Sequence, residues 1–455
     1  MDINKQVQAV PFRERICFGL GDASVNVFMG VTTMFLSIYY TDVFGLSPVF
    51  IGVLFLGIRF VDAVTDPLVG ALTDRFVGKL GRYRTWMKWA AIPYALSLLA
   101  VFWGPDLPGP YAKMAYATIT YLILIICNTC FSVPYISLNG VITPNPAERI
   151  EINGIRFFLA IGSRLVISLL IPLLMACFSD AQQAYRVSMA CISAVTLILA
   201  LFCIYGTQER VTDIESQNAD SITRLSPRQQ IRAFWENEQA RLICLFLASI
   251  NICYTLRMAG MAYYVKYYLQ QGDYTLSLFL AASAVAGMIS PSISLWFVKR
   301  KCVTIRTLLI VSQVAPGVLM LLGGLVSRNG WIIALALTGA VTFVAAFQSA
   351  IVWSSPGNCA DYGRIKYGKN IRGVLNGALM FFLKAGMAIG GALLGFILSA
   401  YDYEAGTPVT PQQLQGFVYI VWVIPGVISL LNTWFARQWL LTPEFMQTFL
   451  AKSPA

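Results

Sequence analysis

The chain of 455 residues contains no histidine, and charged residues make up only 12% of it. Without histidine, zinc sites of the usual His or Cys/His types are excluded, as is catalysis by a Ser-His or Cys-His pair. Soluble globular proteins carry roughly 25% charged residues, so this chain has too few charges to cover a surface that faces water. Hydrophobic residues make up 57% of the sequence. The composition therefore indicates a multi-pass membrane protein.

Signatures of other protein classes are also missing. The two Gly-Lys pairs, Gly78-Lys79 and Gly368-Lys369, are followed by Leu80 and Asn370, so neither belongs to a phosphate-binding P-loop. The ten cysteines lie in or beside apolar stretches, which argues against a disulfide framework. We therefore expect a protein that is not an enzyme and needs no cofactor.

Apolar stretches long enough to cross the ~30 Å of bilayer hydrocarbon occur twelve times. They cover residues 14–42, 49–73, 87–104, 114–143, 152–178, 185–205, 241–269, 275–298, 303–326, 331–353, 373–400 and 415–440. The segment 206–240 is polar and contains six acidic residues. We predict an all-α membrane protein with twelve transmembrane helices in two six-helix halves, 1–205 and 241–455, joined by a cytoplasmic linker at 206–240.

The cationic residues alternate between the loops on the two sides of the predicted membrane. Of the 33 Lys and Arg residues, 24 lie in loops and terminal segments on one side of the predicted membrane. The loops on the other side hold only three. Positive loops face the cytoplasm, so both termini are predicted to be cytoplasmic. The net charge of +11 therefore reflects membrane topology, and no nucleic-acid partner is expected.

The second predicted span contains three charged residues, which are expensive inside a bilayer unless paired or hydrated. Arg59, Asp62 and Asp66 have the spacing of one helix face. Two carboxylates one turn apart repel each other unless they share a cation or a proton, and hard oxygen ligands suit Na⁺ or Li⁺. In the alternative interpretation, Arg59 only neutralises Asp62 and holds helices together, but this leaves Asp66 unexplained.

Three further charged residues could line a polar cavity. Asp22 could accept hydrogen bonds from sugar hydroxyls, or it could simply lie near the membrane interface. Arg156 could bind vicinal hydroxyls or a carboxylate with two hydrogen bonds, and Lys384 could balance Asp62 or Asp66. The predicted spans hold more cations than acids, which favours an anionic substrate such as a uronide.

Three cations in the predicted spans receive no function from the sequence. Arg164 lies two turns beyond Arg156, and Arg257 and Lys266 lie in the seventh predicted span without an obvious partner. The long side chain of Lys266 is expected to extend outward to the interface. The roles of Arg164 and Arg257 are left open.

These motifs together resemble the glycoside–pentoside–hexuronide:cation symporters, which include melibiose-permease-like members of the major facilitator superfamily. The resemblance extends over nearly the whole chain, and the second-span motif with Arg156 and Lys384 is its most specific part. The resemblance implies a major-facilitator fold, alternating access, and sugar uptake with Na⁺, Li⁺ or H⁺. The matching residues are Asp22, Tyr40-Thr41-Asp42-Val43, Arg59, Asp62, Asp66-Pro67, Asp74-Arg75, Gly81-Arg82-Tyr83-Arg84, Trp86, Pro134-Tyr135, Arg156-Phe157-Phe158, Asp361-Tyr362, Lys366, Gly368 and Lys384.

The resemblance also implies residue roles. A cation site is expected at Asp62, Asp66 and Thr129. Substrate contacts are expected from Asp22, Arg156, Lys384 and Ser132. Charge pairing or gating is expected of Arg59, Asp361 and Arg364, with Asp361 in the loop before the eleventh span.

Three positions depart from the melibiose-transporting members of that family. Gly21, Ser132 and Ile136 stand where those members have a lysine, an aspartate and a tryptophan. The missing groups argue against melibiose and for a different glycoside, pentoside or hexuronide. Loss of the carboxylate at Ser132 also leaves Na⁺ or H⁺ coupling open.

We therefore predict a symporter of the bacterial inner membrane whose partners are a small sugar, a monovalent cation and the lipid bilayer. The expectation is compatible with a monomer. One alternative is a proton-coupled exporter on the same fold, which the direction of transport would distinguish. The other is a non-transporting membrane sensor or membrane enzyme, but the longest polar stretch, 206–240, is too short for an output domain.

Overall fold

The computed structural model describes residues 10–75, 78–143, 146–210, 227–300, 302–326, 329–367, 372–441 and 445. Among these residues, all regular structure is helical apart from an isolated bridge between Gly78 and Gly81. The all-α prediction is therefore confirmed. In the first part of the chain the helices are α1 Phe12–Ile38, α2 Pro48–Arg75, α3 Tyr83–Val101, α4 Pro110–Val141, α5 Pro146–Met175 and α6 Ala181–Gly206.

From residue 227 onward, the described residues form nine α-helices. They are α7 Pro227–Glu236, α8 Glu238–Tyr263, α9 Asp273–Lys299, α10 Ile305–Gly323, α11 Trp331–Ala345, α12 Ser349–Tyr367, α13 Arg372–Ala400, α14 Pro411–Val418 and α15 Ile424–Gln438. A π-helical turn follows α1 at Tyr39–Val43, and similar turns follow α8 at Tyr264–Tyr268 and α14 at Tyr419–Val423.

Ten helical segments in the described part of the chain are long and apolar enough to cross a membrane. The helices α2 and α3 occupy the remaining two predicted spans. The helix α2 is 28 residues long and is apolar at Pro48–Arg59. The helix α3 is 19 residues long and carries Arg84 and Lys88 in its first two turns. The twelve predicted spans thus correspond to the ten long apolar segments and to α2 and α3.

The chain divides into two compact units. The first comprises residues 1–32 and 60–222, and the second comprises 33–59 and 223–455. The end of α1 and the first part of α2 therefore pack with helices of the C-terminal part of the chain. The predicted boundaries at 205 and 241 stay a prediction. Within the predicted linker, residues 227–236 form α7, and residues 211–226 lie outside the described residues.

A stack of buried aromatic rings forms part of the core of the first unit. The rings of Phe18 and Tyr135 lie 4.8 Å apart, and Phe131 stacks on Tyr94 at 5.6 Å. All four side chains are at most 1% exposed. Because these residues belong to α1, α3 and α4, the stack fixes the packing of the helices that carry Asp22 and Thr129.

In the second unit, α13 packs closely against α8 through glycines. A Cβ atom on Gly386 would lie 2.3 Å from the carbonyl oxygen of Ala248, and one on Gly390 would lie 2.7 Å from that of Ile252. Such separations leave no room for a side chain. The Gly-x-x-x-Gly spacing of Gly386 and Gly390 therefore permits backbone contact between the two helices.

One local prediction is wrong. The sequence places Asp361 and Tyr362 in a loop before the eleventh span, but both belong to α12. Tyr362 is buried, and its hydroxyl donates to Glu238 Oε1 at 2.7 Å. This contact with the start of α8 stabilises a helix whose polar sequence does not predict one.

Candidate functional site

Two carboxylates on α2 and one hydroxyl on α4 come together inside the first unit. The hydroxyl oxygen of Thr129 lies 3.2 Å from Asp62 Oδ1 and 3.3 Å from Asp66 Oδ1. Asp62 is 2% exposed and Thr129 is fully buried. The predicted cation-binding residues are therefore neighbours in space.

Helix geometry accounts for this arrangement. Asp62 and Asp66 are one turn apart on α2 and so share a face. Thr129 lies in the interior of α4, where a hydroxyl costs less to bury than a carboxylate. Its single proton can satisfy only one of the two carboxylate oxygens at a time. The group provides hard oxygen atoms and negative charge, which suits Na⁺, Li⁺ or a shared proton.

The predicted substrate residues Asp22 and Arg156 form an ion pair between α1 and α5. Arg156 Nε lies 3.3 Å from Asp22 Oδ2, and each side chain is 17% exposed. The orientation does not give a hydrogen bond at Nε. The guanidinium group also lies 4.8 Å from the centre of the Phe157 ring. Both side chains therefore keep polar atoms that a ligand with hydroxyl groups could engage.

A second polar contact joins the same two helices. Arg164 Nε donates to Asn26 Oδ1 at 2.9 Å, and Asn26 Nδ2 donates to the backbone carbonyl of Asp22 at 2.8 Å. Asn26 thus connects Arg164 to the residue that pairs with Arg156. Since the side chain of Asn26 is neutral, it does not cancel the charge of Arg164.

The three positions that depart from the melibiose-transporting pattern lie in the first unit. A Cβ atom on Gly21 would lie 2.5 Å from the Tyr135 ring and 2.6 Å from Cys203 Sγ, so a lysine does not fit there. Ser132 is half-buried, and Ile136 is 56% exposed. The structure provides no bulky polar group at these positions.

The other predicted site residues lie on α2, α12 and α13. Lys384 is half-buried on α13 in the second unit, and its proximity to the cation site stays a prediction. Arg59 is half-buried on α2. Asp361 and Arg364 belong to α12, but their side chains lie outside the described residues.

Lys266 is not an unpaired cation, contrary to the sequence prediction. Its Nζ lies 3.2 Å from Asp42 Oδ2. The hydroxyl of Tyr267 donates to the same oxygen, and the hydroxyl of Tyr403 donates to Asp42 Oδ1 at 2.8 Å. No local sequence pattern predicts this group, because its members are distant along the chain.

Arg257 is buried inside the second unit. Its Nη atoms lie 3.4 Å from the hydroxyl of Thr342 and from the backbone carbonyl of Thr338. The guanidinium group lies 5.5 Å from the Trp422 ring centre. Its contacts are therefore to neutral groups of the same unit.

Similar proteins match nearly the whole chain. The family described as "MFS/sugar transport protein" matches residues 17–440. The inner membrane symporter YicJ of Escherichia coli (strain K12) is 28% identical over 97% of this chain and 95% of its own length. The putative glycoside/cation symporter YagG of the same organism is 31% identical over 91% and 89%. The isoprimeverose transporter of Lactiplantibacillus pentosus is 29% identical over 91% and 86%.

A solved structure shows the same fold. The crystal structure of a D-xylose-proton symporter is similar with a TM-score of 0.68 and 14% identity, covering 95% of this chain and 98% of that one. At this identity the likeness concerns the fold alone. The chain belongs to the MFS/sugar transport protein family and, within it, to the glycoside–pentoside–hexuronide:cation symporters, which are secondary active transporters of the membrane and not enzymes.

Proposed function

We propose that the protein imports a glycoside, pentoside or hexuronide together with one monovalent cation, Na⁺ or H⁺. The observation that carries this proposal is the position of the Thr129 hydroxyl, 3.2 and 3.3 Å from one oxygen each of Asp62 and Asp66. Two acidic side chains that share one buried hydroxyl repel each other, and a cation or a proton between them reduces that repulsion. We therefore propose that the coupling ion binds in the first unit.

The sugar is proposed to bind at Asp22 and Arg156. Their ion pair lies at 3.3 Å and is only partly buried. A carboxylate accepts hydrogen bonds from hydroxyl groups and a guanidinium donates hydrogen bonds to them. Asp22 and Arg156 can therefore bond to vicinal hydroxyls of a sugar in place of each other. Lys384 and Ser132 are proposed as further contacts in the loaded state. The name of the isoprimeverose transporter suggests a glycoside as the first compound to test.

Coupling requires that each ligand stabilises the conformation that suits the other. A bound cation reduces the repulsion between Asp62 and Asp66, so a conformation that buries both becomes less costly. We propose that the chain then alternates access as other transporters of this architecture do. The excess of Lys and Arg in alternate loops supports cytoplasmic termini in a bacterial inner membrane.

The decisive experiment removes the shared hydroxyl. In proteoliposomes, Thr129→Ala is expected to lower the apparent cation affinity by about tenfold, since it loses a hydrogen bond or ligand to a charged group. Thr129→Ser keeps the hydroxyl and serves as the matched control. Cation affinity that is the same in both variants would contradict the proposed site.

Two isosteric variants test coupling itself. Asp62→Asn and Asp66→Asn are each expected to abolish uphill accumulation, because a neutral amide does not attract the coupling ion. Uptake of isoprimeverose, a xyloside, a glucoside and a glucuronide is measured with an imposed Na⁺ or H⁺ gradient. Unchanged accumulation in both variants would remove the cation-site proposal. Accumulation in everted vesicles only would instead identify an exporter.

A further inference from the structure

Four polar side chains contact the Asp42 carboxylate within the second unit. They come from the ends of α1 and α8 and from the connection between α13 and α14. The Asp42 side chain is only 5% exposed although it is ionisable. Its contacts are the Lys266 ammonium at 3.2 Å, the hydroxyls of Tyr403 and Thr41 at 2.8 Å each, and the hydroxyl of Tyr267.

A hydroxyl relay extends this group. The Thr41 hydroxyl, which bonds Asp42, also lies 2.7 Å from the hydroxyl of Tyr263. If Thr41 donates to the carboxylate, the Tyr263 hydroxyl donates to Thr41. Apart from Thr41, the groups that bond to the Asp42 carboxylate come from other segments of the chain. Separating the end of α1 from α8 would leave it without the Lys266, Tyr267 and relay contacts.

The two charged partners occupy similar positions in similar sequences. Tyr39-Tyr40-Thr41-Asp42 directly follows α1, and Tyr263-Tyr264-Val265-Lys266 begins at the last residue of α8. Each segment contains part of a π-helical turn, Tyr39–Val43 and Tyr264–Tyr268. Such turns often occur at functional sites. Because α1 and α8 are the first long apolar helices of the two parts of the chain, the pair has opposite charges at corresponding places.

Water can approach this group from one side. A cavity of about 400 Å³ is lined by residues that include Thr41 and Tyr403. Lys266 itself is 54% exposed, in contrast to Asp42. A contact of one buried and one exposed charge can be broken by hydrating the lysine first, at lower cost than a fully buried pair.

We propose that Asp42 and Lys266 form a latch between the ends of α1 and α8 that opens and closes in each transport cycle. The latch is closed in this structure, and Tyr267 and Tyr403 position the carboxylate. The proposal rests on the proposed alternating access and on the topology that places these ends outside. It makes Asp42 and Lys266 gating residues, distinct from the ligand sites at Asp62 and Asp22.

The test measures the distance that the latch controls. Spin labels are attached to Ser47→Cys and Tyr274→Cys, both at exposed positions, after replacement of the native cysteines. Pulsed EPR on the purified full chain should show a longer distance in Asp42→Asn and Lys266→Gln. The ratio of long to short distances is expected to rise about tenfold, since charge-assisted hydrogen bonds are lost.

Three further variants make the result specific. Tyr403→Phe removes one hydrogen bond without a change in charge and should give a smaller shift of the same sign. The exchange Asp42→Lys with Lys266→Asp should return the ratio toward that of the parent. Arg232→Gln is the matched control for Lys266→Gln, because it breaks the exposed Arg232–Glu236 pair at 3.0 Å and should leave the distances unchanged.

The outcomes separate the latch from the proposed function. Folded Lys266→Gln protein with an unchanged distance distribution would overturn the latch, even if Asp42→Asn failed to fold. A distance shift in Lys266→Gln that is no larger than the shift in the Arg232→Gln control would also overturn the latch. Neither measurement needs a substrate or a coupling ion, so an incorrect sugar or cation assignment would leave the EPR result unaffected.

Discussion

The carboxylate of Glu209 accepts the backbone N–H of Arg84 at 2.9 Å, although the two residues are far apart in sequence. The same carboxylate accepts the backbone N–H groups of Arg82 and Tyr83, also at 2.9 Å. The residue at the start of α3, Arg82, provides no side-chain cap. Glu209 therefore satisfies N–H groups that a helix start leaves without partners, and its charge suits the positive end of the helix.

The residues around Glu209 bind other helices of the first unit. Arg210 forms two hydrogen bonds with Glu14 at 2.7 and 2.6 Å, and its backbone N–H donates to the carbonyl of Val141 at 2.9 Å. The Glu14 carboxylate raises the pKa of the Arg210 guanidinium through these hydrogen bonds. The short segment after α6 thus holds α1, α3 and α4 together at one end.

The first prediction concerns Glu209→Gln. An amide offers one acceptor oxygen and no charge, so at least one N–H group of α3 loses its partner. We expect the free energy of unfolding to fall by about 1–3 kcal/mol, seen as a lower melting temperature in detergent. Glu236→Gln, which breaks an exposed pair, should change stability by less than about 0.5 kcal/mol. Equal effects of the two substitutions would contradict the capping role.

The second prediction uses the glycine that precedes this cap. Gly81 has φ of +106°, and a Cβ atom there would lie 2.5 Å from the Glu209 carboxylate. Gly109 also has positive φ, +79°, but nothing lies within 4 Å of its Cβ position. The strained backbone destabilises both alanine variants, and only Gly81→Ala also displaces Glu209. Thermal melting should therefore show a larger loss for Gly81→Ala, and the reverse order would be inconsistent with the cap.

Patterns within one helix could be predicted from the sequence. The shared face of Asp62 and Asp66 follows from their spacing on a regular helix, and the close approach of α13 to α8 follows from the spacing of Gly386 and Gly390. Resemblance to a family then pointed to Thr129, whose position near both carboxylates no local pattern could supply. The roles of these residues in transport remain predictions.

Contacts between distant segments could not be predicted in the same way. Lys266 was expected to extend outward alone because no acid is near it in sequence, yet Asp42 is its partner. Glu209 looked like part of a solvated linker, because the backbone N–H groups that donate to it belong to another helix. Such pairs depend on how helices pack, and the spacing of residues along the chain does not predict that packing. The repeated Tyr-Tyr pairs at 39–40 and 263–264 were the available hint.

The third prediction concerns Arg164 and substrate charge. Its Nε donates to Asn26 Oδ1 at 2.9 Å, and that amide carries no charge. Arg164→Gln is expected to weaken uptake of a glucuronide about tenfold more than uptake of the matching neutral glucoside. Arg164→Lys, which keeps the charge but not the planar fork, should show an intermediate effect. Equal losses for both sugars would show that Arg164 does not sense substrate charge.

The fourth prediction tests the tight contact at Gly21. A Cβ atom there would lie 2.5 Å from the Tyr135 ring and 2.6 Å from Cys203 Sγ. Tyr135 cannot easily move, because it is 1% exposed and its hydroxyl donates to the carbonyl of Phe18 at 3.0 Å. Gly21→Ala should therefore lower the free energy of unfolding by about 1–3 kcal/mol through overpacking.

A matched glycine distinguishes overpacking from a general effect of alanine. Gly154 on α5 has nothing within 4 Å of its Cβ position, and alanine favours a helix interior over glycine by about 1 kcal/mol. Gly154→Ala should therefore melt at or above the temperature of the parent, whereas Gly21→Ala should melt below it and Gly21→Lys lower still. A lysine tolerated at position 21 would mean that α1 can move away from Tyr135. The absence of that lysine would then no longer argue against a melibiose-like substrate.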